Sequence, residues 1–336
     1  MATYNEIFGR QVKFLASDPS ATAGAGQIWY NSVSNTFKTS LVISAWASGG
    51  SLTNKRRNPA QGIGPQTAAM AAGGMDGATA LAYNEQYNGT AWSEGAGALN
   101  TARQSCGGTT AGTQTAALIF AGSSTEPSFA GMTDTTEEYD GSTWTTTPNV
   151  MNTARFNIGG CGTSTAALGF GGYVIGDQRS DSEEWNGTSW TEGDNMIQGR
   201  IGMGCCGIQT AALACNGAVD TGGPAPTGPK DTTEEYNGAS WTAGGTNLVA
   251  CQALGAAGTQ TFAICFGGSP NITTTSVYDG TTWTTRPAMA TGRDYVGMAG
   301  TATAALCIGG NAPSDAGVAT VEEYNGTDTI RTLTTS

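Results

Sequence analysis

The chain contains no histidine. That excludes Ser-His and Cys-His nucleophilic systems and every metal site built on imidazole. Positive charge is scarce as well. Fourteen Lys and Arg stand against 26 Asp and Glu, a formal net charge of −12, and lysine occurs only at positions 13, 38, 55 and 230. A nucleic-acid binder shows a basic stripe, and a protein held on an anionic membrane shows a basic cluster; the sequence has neither. No apolar run approaches the ~18 residues of a membrane-spanning helix. The opening MATYNEIFGRQVKFLASDPS lacks the apolar core of a signal peptide, so a soluble protein without its own export signal is expected. Cysteine is present eight times, but never as C-x-x-C. Cys106, Cys161, Cys205 and Cys206 lie in glycine-rich segments, and Cys215, Cys265 and Cys307 in apolar runs. They are expected as small buried free thiols, with no zinc, other metal or cofactor.

What is abundant is glycine, 51 of 336 residues, without a collagen period. With regularly spaced aromatics it points to short strands joined by tight turns. The tripeptide Thr-Ala-Ala, once Thr-Phe-Ala, begins at Thr67, Thr115, Thr165, Thr210, Thr261 and Thr303, at intervals of 48, 50, 45, 51 and 42 residues. These mark repeats 1 to 6. A Gly pair or near match follows each: Gly73-Gly74, Ala121-Gly122, Gly171-Gly172, Asn216-Gly217, Gly267-Gly268 and Gly309-Gly310. Then comes an aromatic (Tyr87, Tyr139, Trp185, Tyr236, Tyr278, Tyr324), and five residues later Trp92, Trp144, Trp190, Trp241 and Trp283. The sixth repeat has Thr329 in that slot.

Each unit reads as four short strands, a to d, as in RFNIGGCG, TAALGFGG, SEEW and SWTEG. The Asn-Gly or Asp-Gly between c and d predicts a two-residue type I′ hairpin. Four strands at a period of about 40 to 50 residues are the signature of a propeller blade. The Gly pair, the aromatic, the following Trp and an Arg opening the next unit resemble the kelch repeat over residues 46–336. The aromatic-to-Trp spacing is shorter than in typical kelch units. The resemblance implies an all-β, six-bladed kelch-like β-propeller. Trp46 lies 10 residues before Arg56, the spacing that separates Trp190 from Arg200. The strand around Ser44 to Ser48 is therefore expected to form the outer part of blade 6.

The carboxylate pairs Glu137-Glu138, Glu183-Glu184, Glu234-Glu235 and Glu322-Glu323 suggest glycosidase chemistry, which needs two acids facing each other across roughly 5 to 10 Å. Adjacent residues on a strand face opposite ways. Arg56, Arg103, Arg155, Arg200 and Arg293 share one position, which Gln252 takes in repeat 5, where Ser276-Val277 replace the acids. Acid and base vanish together, as in a structural Arg–Glu pair. No enzyme is expected. The Tyr and Trp of each repeat are assigned to packing, and the sequons at Asn88, Asn186 and Asn325 to tight turns.

Length variation concentrates between strands b and c. From the second position of the Gly pair to the aromatic, the interval runs 13, 17, 13, 19, 10 and 14 residues. Loops held by a rigid scaffold are where binding residues gather. The predicted contact residues on that face are Phe129, Tyr173, Asp177, Arg179, Asp220, Lys230, Asn271 and Asp315.

Residues 1–45 lack the repeat. Ile28-Trp29-Tyr30 and Thr36-Phe37-Lys38 read as a short hairpin. The stretch FLASDPSATAGAGQIWYNSVSNTFK resembles an N-terminal element of tail and fibre proteins of tailed bacteriophages. The resemblance implies a virion protein, assembled in the host cytoplasm, whose residues 1–45 attach to other tail proteins, with Trp29, Tyr30 and Phe37 as attachment residues. The domain 46–336 would be displayed in many copies to bind a host-surface glycan or protein. A purely structural adaptor or decoration protein and a glycan-active enzyme stay as alternatives.

Overall fold

The computed structural model describes residues 13–18, 28–59, 62–125, 131–219, 228–313 and 317–332. Among the described residues every regular element is a β-strand. Two compact units form, Trp46–Tyr324, and Met1–Ala45 with Asn325–Ser336.

In the larger unit each repeat makes one antiparallel sheet, an arrangement of the β-propeller type. In repeat 3, Gly159–Thr163, Ala166–Phe170, Ser182–Trp185 and Trp190–Glu192 pair in that order. Repeats 4 and 5 repeat this with Gly204–Ile208 to Trp241–Ala243 and Gly255–Thr259 to Trp283–Arg286. Repeat 2 has a short inner strand, Gly107–Gly108, and in repeat 1 a single bridge, Ile63 to Met70, replaces the inner strand. In repeat 6, Gly297–Thr301 pairs with Ala304–Ile308, which pairs with Val321–Thr332, and the strand beside that is Thr36–Ser48.

Apolar side chains of consecutive sheets interdigitate to form the core. Cys161, Leu168 and Phe170 of repeat 3 pack with Met203, Cys205 and Trp241 of repeat 4. Equivalent clusters join repeats 1 and 2, 2 and 3, 4 and 5, and 5 and 6. One more cluster joins Leu306, Ile308 and Val321 of repeat 6 to Ala71, Tyr87 and Trp92 of repeat 1. All eight cysteines are buried free thiols within these layers. Alanine, cysteine and glycine dominate because the inner strands approach closely: a Cβ on Gly62 would lie 0.9 Å from the Met298 carbonyl oxygen.

The Gly pair has a backbone explanation. Its first residue sits near φ +60° in every repeat, from 58° at Gly309 to 67° at Gly267, and Ala121 and Asn216 occupy it at 59°. The second residue lies at φ 93° to 119° and is always Gly. A side chain is tolerated in the left-handed helical region but strained beyond it.

The c–d connections correct the expected turn. The last cross-strand pair is Tyr139 with Trp144, so four residues intervene. Asp140 Oδ1 accepts hydrogen bonds from the amides of Ser142 and Thr143, both at 2.8 Å, and within the turn only Gly141 has positive φ, at 97°. Asn88, Asn186, Asn237 and Asp279 make the same Asx turn. The dipeptide serves a side-chain cap rather than two left-handed residues. Asn325 is a second correction: it lies inside strand Val321–Thr332, not in a turn.

In the smaller unit, Ile28–Asn31 pairs antiparallel with the start of Thr36–Ser48 and parallel with Lys13–Leu15. The Trp29 indole donates to Asp18 Oδ1 at 3.1 Å, Asn31 Nδ2 donates to it at 2.6 Å, and Lys38 Nζ meets Asp18 Oδ2 at 2.7 Å. The Lys38 bond first, then those from Asn31 and Trp29, hold the Asp18 carboxyl down at about 2. The opposite face carries Phe14, Tyr30 and Phe37 side by side, with ring centroids 5.3 and 5.2 Å apart.

Candidate functional site

The arginines that recur in five repeats, each with the first acid of its repeat, are consumed as staples beneath one end of those five sheets. Arg56–Glu85, Arg103–Glu137 and Arg155–Glu183 approach to 2.5 Å, Arg200–Glu234 to 2.7 Å and Arg293–Glu322 to 2.9 Å. All five guanidinium groups are fully buried. Each Arg Nη1 also donates to the carbonyl of the first Gly-pair residue; in repeats 2, 3, 4 and 6 it also reaches the carbonyl of the residue before strand c, such as Gly171 and Asp181 for Arg155. Each Glu accepts amides of the incoming d–a connection, such as Asn100 at 2.7 Å and Thr101 at 3.2 Å on Glu137. The b–c loop stems and the d–a connections therefore share one end of the sheet. Burial lowers the Arg155 pKa and raises that of Glu183, while each group opposes the other's shift.

The second acid serves the joint between repeats. The hydroxyls of Tyr236 and Tyr278 donate to Glu184 and Glu235 of the preceding repeat at 2.6 Å, and that of Tyr87 donates to Glu323. Burial first, and then the Glu235 bond, push the Tyr278 hydroxyl up to about 12. Where the phenol is replaced by Trp185, Glu138 has no such donor, and burial raises its carboxyl pKa.

Four of the six repeat indoles follow one rule as well, while Trp144 leaves its buried Nε1 without a partner. Trp190, Trp241 and Trp283 donate to Thr136, Ser182 and Thr233, the first residue of strand c in the preceding repeat, at 2.8 to 3.0 Å. Trp46 donates to Thr275 of repeat 5 at 2.9 Å and packs on Phe266 and Tyr324. Trp92 faces Val321 at that position, and its buried Nε1 has no partner. Val321→Thr is expected to raise the unfolding free energy by about 1 kcal/mol, the worth of one neutral hydrogen bond. A denaturant midpoint that falls would contradict this pairing.

Near the inner ends of the sheets, six equivalent residues carry positive φ: Asn58, Ser105, Asn157, Gly202, Ala253 and Tyr295, from 49° to 59°. Their backbones are linked in sequence. The amide of Ser105 donates to Asn58 O (3.2 Å), Asn157 to Ser105 (2.8 Å), Gly202 to Asn157 (3.5 Å), Ala253 to Gly202 (2.7 Å) and Tyr295 to Ala253 (2.8 Å). The sixth bond runs from the Asn58 amide to Tyr295 O at 2.9 Å. These residues rim a depression of about 430 Å³, with Cys106, Ile158, Met203 and Val296 among its apolar lining. No shared residue type at the six positions signals it in the sequence.

This register corrects one alignment. Ala253 occupies the place of the residue two after each Arg, so the repeat-5 equivalent of Arg is Cys251, not Gln252. Gln252 instead bridges Ser269, as Gln104 bridges Ser123. The Trp-to-Arg spacing of 10 or 11 residues admits both positions.

Of the predicted loop residues, Phe129, Asp220 and Asp315 lie outside the described residues. Tyr173, Asp177 and Arg179 come together in a small hairpin in the b–c loop of repeat 3, Tyr173–Val174 against Asp177–Gln178. Tyr173 packs edge-on to Phe156, and its hydroxyl accepts the Gly176 amide at 3.1 Å. Arg179 is held by Asp177 at 3.1 Å and Asp181 at 2.9 Å, so its charge is already compensated. Lys230 is half-buried and its backbone bridges Cys251. Asn271 follows the cis peptide Ser269-Pro270, and its Oδ1 is buried without a partner. Of the attachment residues, Tyr30 and Phe37 stand on the aromatic face. Trp29 does not: it is 1% exposed and tied to Asp18, so it is a core residue and not a contact. Strand alternation assigns Trp29 and Tyr30 to opposite faces.

No family model matches the chain, and no curated protein matches it.

Proposed function

We propose that this is a recognition protein of a tailed-bacteriophage virion, a six-bladed kelch-like propeller displayed by an N-terminal attachment segment, and not an enzyme. Three features support ring closure. The circuit of backbone bonds returns from Tyr295 to Asn58. Gln66 donates to Ala305 and Tyr324 of repeat 6, as Gln114 donates to Ala69 and Tyr87 of repeat 1. Trp46 stands in the last blade as the other tryptophans stand in theirs. A closed ring leaves no broken seam between the first and last repeats and only short sheet edges at its rim.

The observation that carries the recognition reading is the contrast between the two ends of each sheet. One end has the same four-residue Asx turn in five repeats. The other has b–c loops of differing length, on stems locked by buried ion pairs, which suits a scaffold presenting variable loops. The acids that could do chemistry are held in those staples. The exposed aromatic row of Phe14, Tyr30 and Phe37 supports a contact surface for other virion proteins, and many copies per particle would add avidity. The phage assignment itself rests on the GQIWYN and TFK motifs.

Replacing loops 123–134 and 218–231 by short Gly-Ser linkers is expected to weaken binding of the purified protein to bacterial cells by about tenfold or more, a loss of 1.4 kcal/mol. Unchanged binding by a folded double-loop variant would contradict the assignment.

A further inference from the structure

Repeat 5 departs from the other five at three positions that are linked through Asn216 of repeat 4. Cys251 replaces the buried Arg, Ser276 replaces its Glu, and Asn247 stands where the others place a buried Leu52, Leu99, Met151, Met196 or Met289. With Asn216 the three form a neutral network of four residues. Ser276 Oγ donates to Asn247 Oδ1 at 2.8 Å, Asn247 Nδ2 donates to Asn216 Oδ1 at 2.6 Å, and Asn216 Nδ2 reaches Cys251 Sγ at 3.4 Å. Smaller side chains leave a cavity with about 350 Å³ of open volume, lined by Cys251, Gly267, Thr274 and Ser276 among others.

In repeats 2, 3, 4 and 6 the carbonyl matching Thr274 O accepts two donors, the amide of the first Gly-pair residue and an arginine Nη1. Here Thr274 O accepts the Gly267 amide at 3.1 Å, and Gly267 O is met by the Cys251 thiol at 3.9 Å, a weak donor. The cavity is thus walled by the carbonyls that grip a guanidinium in four sister repeats. Its mouth is unusual too. Leu248 and Val249, 52% and 38% exposed, line it as a consecutive aliphatic pair, where repeats 1 and 2 have Thr53-Asn54 and Asn100-Thr101 and repeat 4 has Ile197-Gln198. An aliphatic rim over a carbonyl floor matches a side chain with an apolar stem and a planar cationic head.

We infer that the repeat-5 cavity binds the arginine side chain of a basic protein partner. The guanidinium takes the place vacated by the chain's own arginine, and the stem lies on Leu248 and Val249. The net charge of −12 favours approach of such a partner. The inference goes beyond the loop-face reading and does not depend on it.

The test is titration of the full chain with N-acetyl-arginine methylamide and its lysine analogue, followed by calorimetry or amide chemical shifts. Arginine is expected to bind with a dissociation constant of order ~1 mM, the scale of a single side chain, and about tenfold tighter than lysine, which lacks the planar fork. Ser276→Glu supplies the carboxylate found in the other repeats and is expected to tighten arginine binding about tenfold through a charge-assisted bond. Cys251→Arg fills the cavity from within and abolishes binding. If that variant does not fold, Cys251→Arg/Ser276→Glu restores the full staple and serves as the filled form. Equal affinity for lysine and arginine, or arginine binding that persists in the folded double variant, would overturn the inference.

Discussion

Glu137→Ala is expected to destabilise the fold by about 3–5 kcal/mol, the cost of stranding a buried charge. Glu137 and Arg103 are both fully buried. Removing the carboxylate strands the guanidinium and also frees the amides of Asn100 and Thr101 that it holds. Glu138→Ala, one residue on, supplies the control. Glu138 is half-buried, its pKa is raised by burial, and Trp185 gives it no phenol. Its loss should shift stability by no more than about 0.5 kcal/mol, as for ordinary surface positions. Denaturant midpoints of the two variants give the comparison. Replacing both Arg103 and Glu137 by apolar residues should cost less than Glu137→Ala alone, because no charge is left unpaired. Repeat 5 carries an uncharged replacement of the pair naturally, in Cys251 and Ser276.

Trp46→Ala should rank next, at about 3 kcal/mol for the loss of a large packed aromatic. The indole packs on Phe266 and Tyr324 and donates to Thr275. Trp46→Phe keeps most of the packing and removes the hydrogen bond, so about 1 kcal/mol is expected. If Trp46→Ala leaves the denaturant midpoint unchanged, the strand around Trp46 does not hold repeat 6 in place.

Much of the architecture is legible in the sequence because repetition exposes it. Strands a to d, the pairing of Arg with Glu and the variable b–c connections follow from spacing and from residues that vanish together. The failures have physical causes. Asn-Gly serves an Asx turn as readily as a type I′ turn, so the dipeptide does not distinguish them. The Arg slot of repeat 5 is ambiguous by one residue, and Gln252 resembles an arginine replacement more than Cys251 does. Asn247 gives no signal until its contacts with Ser276 and Asn216 are known. The six residues linked by backbone bonds share a conformation rather than a side chain. Trp29 is misassigned because an aromatic in a short hairpin gives no sign of which face is covered, and its partner, Asp18, lies outside the hairpin, beyond the strand Lys13–Leu15.

The central claim is that the repeats close into a ring between repeats 6 and 1. Native-state hydrogen exchange at the six linked amides tests it most directly. A closed ring predicts that the Asn58 amide, bonded to Tyr295 O, exchanges as slowly as that of Asn157 in the middle of the chain, through opening that approaches global unfolding. An Asn58 amide that exchanges orders of magnitude faster than that of Asn157, while Ser105 to Tyr295 stay protected, would show an open seam and contradict the account.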